Sequence, residues 1–308
     1  MEHCKYDIIG DIHGHGSALI ELLDVLGYRE TSSGYAHPER KVIFLGDFID
    51  RGEHLVEHRK LLKVVMSMVN NDHAKAIMGN HEFNALAYHT EVNGKPLRPH
   101  TDKNTKQHQA FLNEYPDNDP EKSQVLDFFR SLPLWLDLGP LRAVHACWDE
   151  EKVNFLASRT DSGRLTSELL LQASSPGSDA FKAVETLLKG CEIELPQGVS
   201  FLDKDGNRRS AVRVQWWNAS AKALGEIALP RGVDISSAAS LPVPRGIPYY
   251  PKADKPCFIG HYWLKGVPAP LTEKVACLDY SVAGNGKLVA YRFDGEQVLS
   301  EDKFVFVK

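Results

Sequence analysis

The chain of 308 residues reads as an α/β protein built on parallel strands. Short apolar, β-branched runs (KYDII, KVIFL, AKAIM) alternate with stretches whose apolar residues recur at helical spacing. Each of these runs closes on a glycine followed by Asp or Asn, and polar residues capable of chemistry collect repeatedly at strand carboxyl ends. Open α/β sheets place their sites at such ends.

The elements follow in order. After KYDII, Ser17 is a candidate helix N-cap, Leu19, Leu22, Leu23 and Leu26 form a 3.6-residue stripe, and Gly27 ends the helix. KVIFLGD is the second strand; a loop leads from it to a long helix carrying Leu55, Leu61, Leu62, Val65, Met68 and Val69. The third strand, AKAIM, runs into GNHE. Residues 91–123 are polar and rich in Pro, Asn and Asp, and read as an excursion over the surface. A helix at VLDFFRSL then leads to two apolar strands joined by a Gly139-Pro140 turn and ending at His145. From about 150 to 255 the periodicity weakens, with helical stretches near 166–173 and 179–189 and Pro-rich segments near 242–256. Apolar strands return in KPCFIGHYW, which puts His261 at a strand end, and in VACLDYSVAGNGKLVAYRFDG. Without an internal repeat, residues 1–308 read as one domain, with 150–255 as a variable cap beside the site.

Bulk properties narrow the function. A formal net charge of -5 gives no broad basic surface for nucleic acid or acidic lipid, although a local positive pocket is compatible with it. Cys4, Cys147, Cys191, Cys257 and Cys277 are odd in number, none pairs at C-x-x-C spacing, and they read as free thiols in a reducing compartment. The amino terminus lacks a signal-peptide core, and no uncharged apolar run approaches the roughly 18 residues of a membrane span. A soluble cytoplasmic protein is the expectation.

The chemistry sits at the strand ends. Asp11 and His13 lie two apart after the first strand and so project the same way in extended geometry. Taken alone, the pair reads first as a capping Asp and an exposed His, and only the combination with the other strand ends makes it specific. Asp47 follows the second strand as Asp11 follows the first, and adjacent parallel strands bring the two carboxylates together. Asn80 and His81 follow the third strand; His145 and His261 end two later ones. This mixture of carboxylate, amide and imidazole suits two divalent first-row metals.

The motifs GDIHG (10–14), GDFIDRG (46–52), GNHE (79–82), VHA (144–146) and GH (260–261), in this order, resemble those of calcineurin-like metallophosphoesterases. The Asp50-Arg51 pair resembles the phosphoprotein phosphatase branch, which includes bacterial serine/threonine phosphatases and symmetrical diadenosine tetraphosphate hydrolases. The resemblance implies a four-layer α/β/β/α sandwich of two mixed sheets with a cap-like insertion. It implies Asp11, His13 and Asp47 as ligands of one metal and Asp47, Asn80, His145 and His261 as ligands of a second, with manganese first and iron or zinc as alternatives. It further implies a bridging hydroxide that attacks phosphorus in line, with Asp50 orienting His81 as general acid and Arg51 binding the phosphate oxygens with its planar fork.

Two departures from the family pattern stand out. Ala146 and Cys147 follow His145 where eukaryotic members usually carry two glycines. The second phosphate-binding arginine, often beside a tryptophan, has Arg213 of RVQWWNAS as its candidate. His15 and Glu82 are open between supporting the ligands and facing solvent; His3, His54, His58 and His73 read as surface histidines. The preferred substrate is a phosphomonoester, including phosphoproteins, because the Arg51 fork suits a dianionic terminal phosphate. A dinucleoside polyphosphate is the alternative, for which Trp216, Trp217, Arg208 and Arg209 would supply stacking and charge. A regulatory module that binds metal without catalysis is the reading from another class.

Overall fold

A computed structural model describes residues 5–51, 57–202 and 206–308. Leu55, His54, His3 and Cys4 lie outside the described residues. The chain starts with strand β1 (Lys5–Ile9), helix α1 (Gly16–Leu26), β2 (Arg40–Phe44), α2 (His58–Asn70), β3 (Ala74–Ala76) and α3 (Asn80–His89). Next come α4 (Asp102–Glu114), α5 (Lys122–Ser131), β4 (Trp135–Asp137) and β5 (Arg142–Val144). Helices α6 (Glu150–Ala157), α7 (Ser167–Ala173) and α8 (Asp179–Lys189) precede a small antiparallel sheet of β6 (Glu192–Glu194), β7 (Ala211–Val214) and β8 (Ala228–Leu229). The chain ends with β9 (Cys257–Ile259), β10 (Val275–Cys277), β11 (Asp279–Tyr280), β12 (Lys287–Phe293) and β13 (Phe304–Val307).

Two mixed sheets form the centre. One runs β11-β12-β1-β2-β3, with β13 on β12; β1, β2 and β3 are parallel and β12 is antiparallel to β1. The other runs β10-β9-β5-β4, parallel except at the β4–β5 turn. The period-2 alternation of the strands explains why they stack. Ile8, Ile43, Leu45 and Ile77 from one sheet and Ala143, Phe258 and Ala276 from the other share a buried cluster between the sheets. Their sequence neighbours Ile9, Val42, Phe44, Val144, Cys257 and Ile259 point outward into the helical layers. The result is the four-layer sandwich.

Helix α1 buries Leu19, Leu22, Leu23 and Leu26, each contributing about 1.5–3 kcal/mol on burial. It stops at Gly27, whose φ of 92° is the left-handed conformation that glycine adopts without strain. Its start corrects the sequence reading. The N-cap position is His15, and Ser17 lies inside the first turn, where its backbone N–H donates to the Glu57 carboxylate at 2.8 Å. A side chain from beyond the next strand therefore caps the helix, a partner that local sequence does not announce.

Residues 91–123, expected as a surface excursion, are mostly exposed or half-buried but carry structure of their own. They contain α4, which buries His108, Ala110 and Phe111, and the first two residues of α5. Tyr115 and Phe129 pack with Phe111 against this side of the molecule. The stripe is short and set among polar residues, because the helix packs partly on polar groups of the GDFIDRG turn.

Candidate metal centre

The parallel pairing of β1 with β2 places Ile9 beside Phe44, so the chain ends that follow deliver Asp11 and Asp47 to one edge. Strands β3, β5 and β9 deliver Asn80, His145 and His261 to the same place. His13 Nε2 lies 4.0 Å from Asp11 Oδ2 and 3.8 Å from Asp47 Oδ2. His145 Nε2 lies 3.4 Å from the same Asp47 oxygen. Asp47, His145 and His261 each place a ligating atom within 4.8 Å of the others, and so do His13, Asp47 and His81. Asp47 is common to both groups.

The donor atoms are free to bind. Asp11 Oδ1, His13 Nε2, Asn80 Oδ1, His145 Nε2 and His261 Nε2 are buried side-chain atoms without a hydrogen-bond partner, an arrangement that is costly unless something else satisfies it. Their orientation is fixed from behind. His13 Nδ1 faces the Ile49 carbonyl at 3.1 Å and His145 Nδ1 faces the Leu45 carbonyl at 2.7 Å. Each Nδ1–H donating to a carbonyl leaves the Nε2 lone pair toward the centre. His81 differs: its Nε2 accepts from Arg51 Nε at 3.1 Å and its Nδ1 contacts Asp50 Oδ2 at 3.3 Å, so both nitrogens are engaged.

Electrostatics call for positive charge here. Burial and then Asp279 push the Asp11 carboxyl well above the usual range. Burial also works to raise Asp47, but the imidazoles of His145 and His81 outweigh it and hold it well below. Burial brings His13 down to about 3 and keeps its imidazole neutral. Although burial lowers His145, Asp47 and Asp11 raise it to about 10. The two carboxylates draw a cation to this spot, and a metal ion competes there with a proton. The chemistry of the donor set thus fits divalent metal ions.

The backbone is strained around the same residues. His13, Asp47, Asp50, Arg51 and His261 have φ between 46° and 71°, a region costing non-glycine residues on the order of 1–3 kcal/mol each. Glu82, left open by the sequence, is the main support. It is fully buried and accepts the backbone N–H groups of Asp47, Phe48 and Gly79 at 2.8, 2.8 and 2.9 Å. Burial and then Asp47 bring its carboxyl up to about 7. The glycines are steric necessities: a Cβ on Gly260 would lie 1.9 Å from Asp11 Oδ1, and one on Gly79 would lie 2.3 Å from Asp47 Oδ1.

Asp50 is enclosed by partners the sequence did not reveal. His108 Nδ1 contacts its Oδ2 at 2.9 Å and the Phe111 N–H donates to its Oδ1 at 3.3 Å. Burial raises this carboxyl, but His108 and His81 outweigh it and hold it below the ordinary range. The Asp50 N–H donates to His58 Nε2 at 2.9 Å, and His58 Nδ1 faces Glu114 Oε1 at 2.7 Å. His58 is therefore buried, which corrects its reading as a surface histidine. Its polar neighbours in sequence face solvent while its ring fills the space under the turn. His73 is half-buried and contacts Ser33 Oγ at 3.0 Å. Asp279, also missed, accepts the N–H groups of Trp263 and Ser281 at 2.7 and 3.0 Å and stands behind Asp11.

A cleft of about 1170 Å³ opens beside the centre and reaches Arg51 and His261. Arg208, Arg209, Arg213, Arg231 and Lys265 line it, facing Glu192 and Asp234. Arg213 lies near enough to His261 to depress it further after burial, and its Nε is buried without a partner. The tryptophans disappoint the sequence reading. Trp216 is fully buried, donating Nε1–H to the Ala146 carbonyl at 3.1 Å, and Trp217 packs edge-on to Tyr262. Neither offers a face for stacking. Trp263 does line the cleft, with the Arg51 guanidinium 5.1 Å from its ring centre.

Comparison with known proteins agrees with this geometry. The chain is 41% identical over 78 residues, 25% of its length and 30% of the relative's, to an asymmetrical bis(5'-nucleosyl)-tetraphosphatase PrpE of Halalkalibacterium halodurans. It is 32% identical over 172 residues to the protein of the same name from Oceanobacillus iheyensis, covering 53% of this chain and 66% of that one. These alignments span less than two thirds of either relative. A serine/threonine phosphatase from Saccharomyces cerevisiae with similarity to human phosphatase PP5 shares the fold, with a TM-score of 0.52 at 15% identity over 100% of this chain and 80% of that one. The calcineurin-like phosphoesterase model matches residues 5–182, from β1 into α8 and so through most of the strand ends described above: the chain belongs to the calcineurin-like phosphoesterase family.

Proposed function

We propose that the protein hydrolyses phosphoester or phosphoanhydride bonds with two divalent cations, manganese first among the candidates, and that its substrate is a nucleoside polyphosphate. The observation that carries the metal-dependent reading is the set of buried, unpartnered donor atoms on Asp11, His13, Asn80, His145 and His261 around the shared Asp47. Asp11, His13 and Asp47 would hold one cation, and Asp47, Asn80, His145 and His261 the other. Bound there, the cations would neutralise phosphoryl charge and activate a water for in-line attack.

The remaining work falls to side chains. Arg51 rests between His81 and Trp263 and turns its fork to the phosphoryl oxygens, where charge-assisted hydrogen bonds contribute about 1.5–3 kcal/mol. That turn frees His81 Nε2. Because Asp50 holds the other nitrogen, the imidazole, once it takes a second proton, presents an acid at Nε2 toward the departing oxygen. Arg213 holds a neighbouring phosphate from the cleft wall. Residues 192–234, within the proposed cap at 150–255 of a single 1–308 unit, supply most of the cleft's positive charge. Cys147, Cys191, Cys257 and Cys277 are free thiols, which supports a reducing, cytoplasmic setting; no described helix is long and apolar enough to cross a membrane.

The charge of the cleft favours a polyphosphate chain, such as a dinucleoside polyphosphate, and the relatives' names support it. A phosphomonoester, phosphoprotein included, is the second reading, favoured by the Arg51 fork. Metal-loaded protein should be assayed on diadenosine tetraphosphate, a phosphoserine peptide and para-nitrophenyl phosphate. The first should give the highest kcat/KM. A preference for the phosphopeptide overturns the polyphosphate assignment, and no turnover of any substrate with manganese returns the protein to the regulatory reading.

A further inference from the structure

A second, smaller pocket lies on the other side of Arg51. It has a volume of about 200 Å³, and its lining includes His81, Asn84, Arg98, His108 and Lys189. Arg51 and Gln107 line both this pocket and the large cleft, so the two spaces adjoin beside the candidate ligand Asn80. The stretch expected to wander over the surface builds much of its wall: Arg98 precedes α4, and Gln107 and His108 lie on it.

The charge in this pocket is distinctive. Arg98 is half-buried, and its guanidinium is held by neutral amides: Nη1 donates to Asn84 Oδ1 at 3.0 Å and Nη2 to Gln107 Oε1 at 2.8 Å. Burial pushes this guanidinium down, with Glu185 and Asp50 acting from a distance to raise it. Amides that fix a cation without neutralising it leave its charge available to a ligand. Lys189 is paired with Glu185, and the Asp50 carboxylate is engaged by His81 and His108. Arg51, whose Nε donates to His81 Nε2 in the resting arrangement, and Arg98 therefore present positive charge to this space.

We infer that this pocket is an anion subsite that receives the departing phosphate of a phosphoanhydride, a deepening that rests on the hydrolase reading above. A water oxygen forms the new bond to phosphorus. The bond to the bridging oxygen breaks, its electron pair stays with the departing phosphate, and the two water protons pass to the products and solvent. A phosphate leaves as a stabilised anion, so guanidinium groups carry its charge and it depends less on the His81 proton than an alcohol does. The subsite makes the reaction class anhydride hydrolysis in preference to ester hydrolysis. The pocket's volume admits a phosphate group, while a folded polypeptide carrying phosphoserine has its bulky, partly apolar leaving group on this side.

The test compares wild type, Arg98→Gln and Arg98→Lys as metal-loaded full chains. Calorimetric titration with ADP should show at least tenfold weaker binding in Arg98→Gln and an intermediate loss in Arg98→Lys, which keeps charge without the fork. In turnover, Arg98→Gln should lower kcat/KM for diadenosine tetraphosphate at least tenfold more than for para-nitrophenyl phosphate. Equal ADP affinity in all three proteins, or equal losses on both substrates, overturns the subsite. If no substrate is turned over but ADP binding still falls in Arg98→Gln, the hydrolase reading fails and the anion site stands. Thermal melts identify an unfolded variant, in which case Arg98→Lys alone decides between these outcomes.

Discussion

Replacing Glu82 tests whether the strained turn is what creates the metal centre. The Glu82→Ala variant strands the buried N–H groups of Asp47, Phe48 and Gly79, and each unsatisfied donor costs about 1–3 kcal/mol. Allowing for partial rehydration, the sum is about 3–6 kcal/mol, which over an unfolding entropy of about 0.65 kcal/mol/K for a chain of this length lowers Tm by roughly 5–9 °C. Asp47, whose φ is 50°, then loses the bonds that hold it there, and manganese affinity should fall about 10–100-fold, as for other supports of metal ligands. Glu82→Gln should be milder. Its oxygen can keep the place of Oε2, which takes Asp47 and Gly79, while its amide faces only Phe48. Calorimetric manganese titration and thermal melts measure both effects. A Glu82→Ala protein that binds manganese like wild type would refute the reasoning, whatever its Tm.

The other perturbations address the groups beside the metals. His108→Ala removes a bond to the buried Asp50 and should cost about 1.5–3 kcal/mol in stability; His108→Asn, whose amide N–H can take the place of Nδ1–H, should restore most of it in chemical denaturation. Loss of kcat on an alkyl phosphate in the alanine variant, recovered in the asparagine variant, would identify His108 as a positioning residue for the Asp50–His81 pair. Arg51→Ala and Arg51→Lys should both keep the metals, raise KM and lower kcat, and harm a monoester more than a diester with the same aryl leaving group. A selective loss on the diester contradicts the fork assignment.

The convergence of the candidate ligands on one edge was legible because Asp11, Asp47, Asn80 and His261 each follow a strand beside a glycine, His145 follows a strand as well, and parallel strands fix where their ends meet. The glycines Gly79 and Gly260 touch the carboxylates of Asp47 and Asp11, so the motif and the geometry are the same constraint. The supports were less legible. His58, His108 and Asp279 act through contacts distant in sequence, and a polar helix such as α4 reads as loop when its packing surface is itself polar. The capping of α1 by Glu57 has the same origin. Trp216 and Trp217 show the opposite failure: an aromatic pair in a variable segment suggested a stacking platform, but the Ala146 carbonyl and Tyr262 draw both rings into the core.

The most direct test of the account is metal stoichiometry in wild type and Asp47→Asn. Asp47 belongs to both ligand groups, and an amide cannot bring a full negative charge to two cations. Elemental analysis after manganese loading should find two ions per wild-type chain and a joint loss of both in Asp47→Asn, with turnover lost alongside. A wild-type chain that binds a single ion, or an Asp47→Asn chain that keeps both and remains active, would contradict the account.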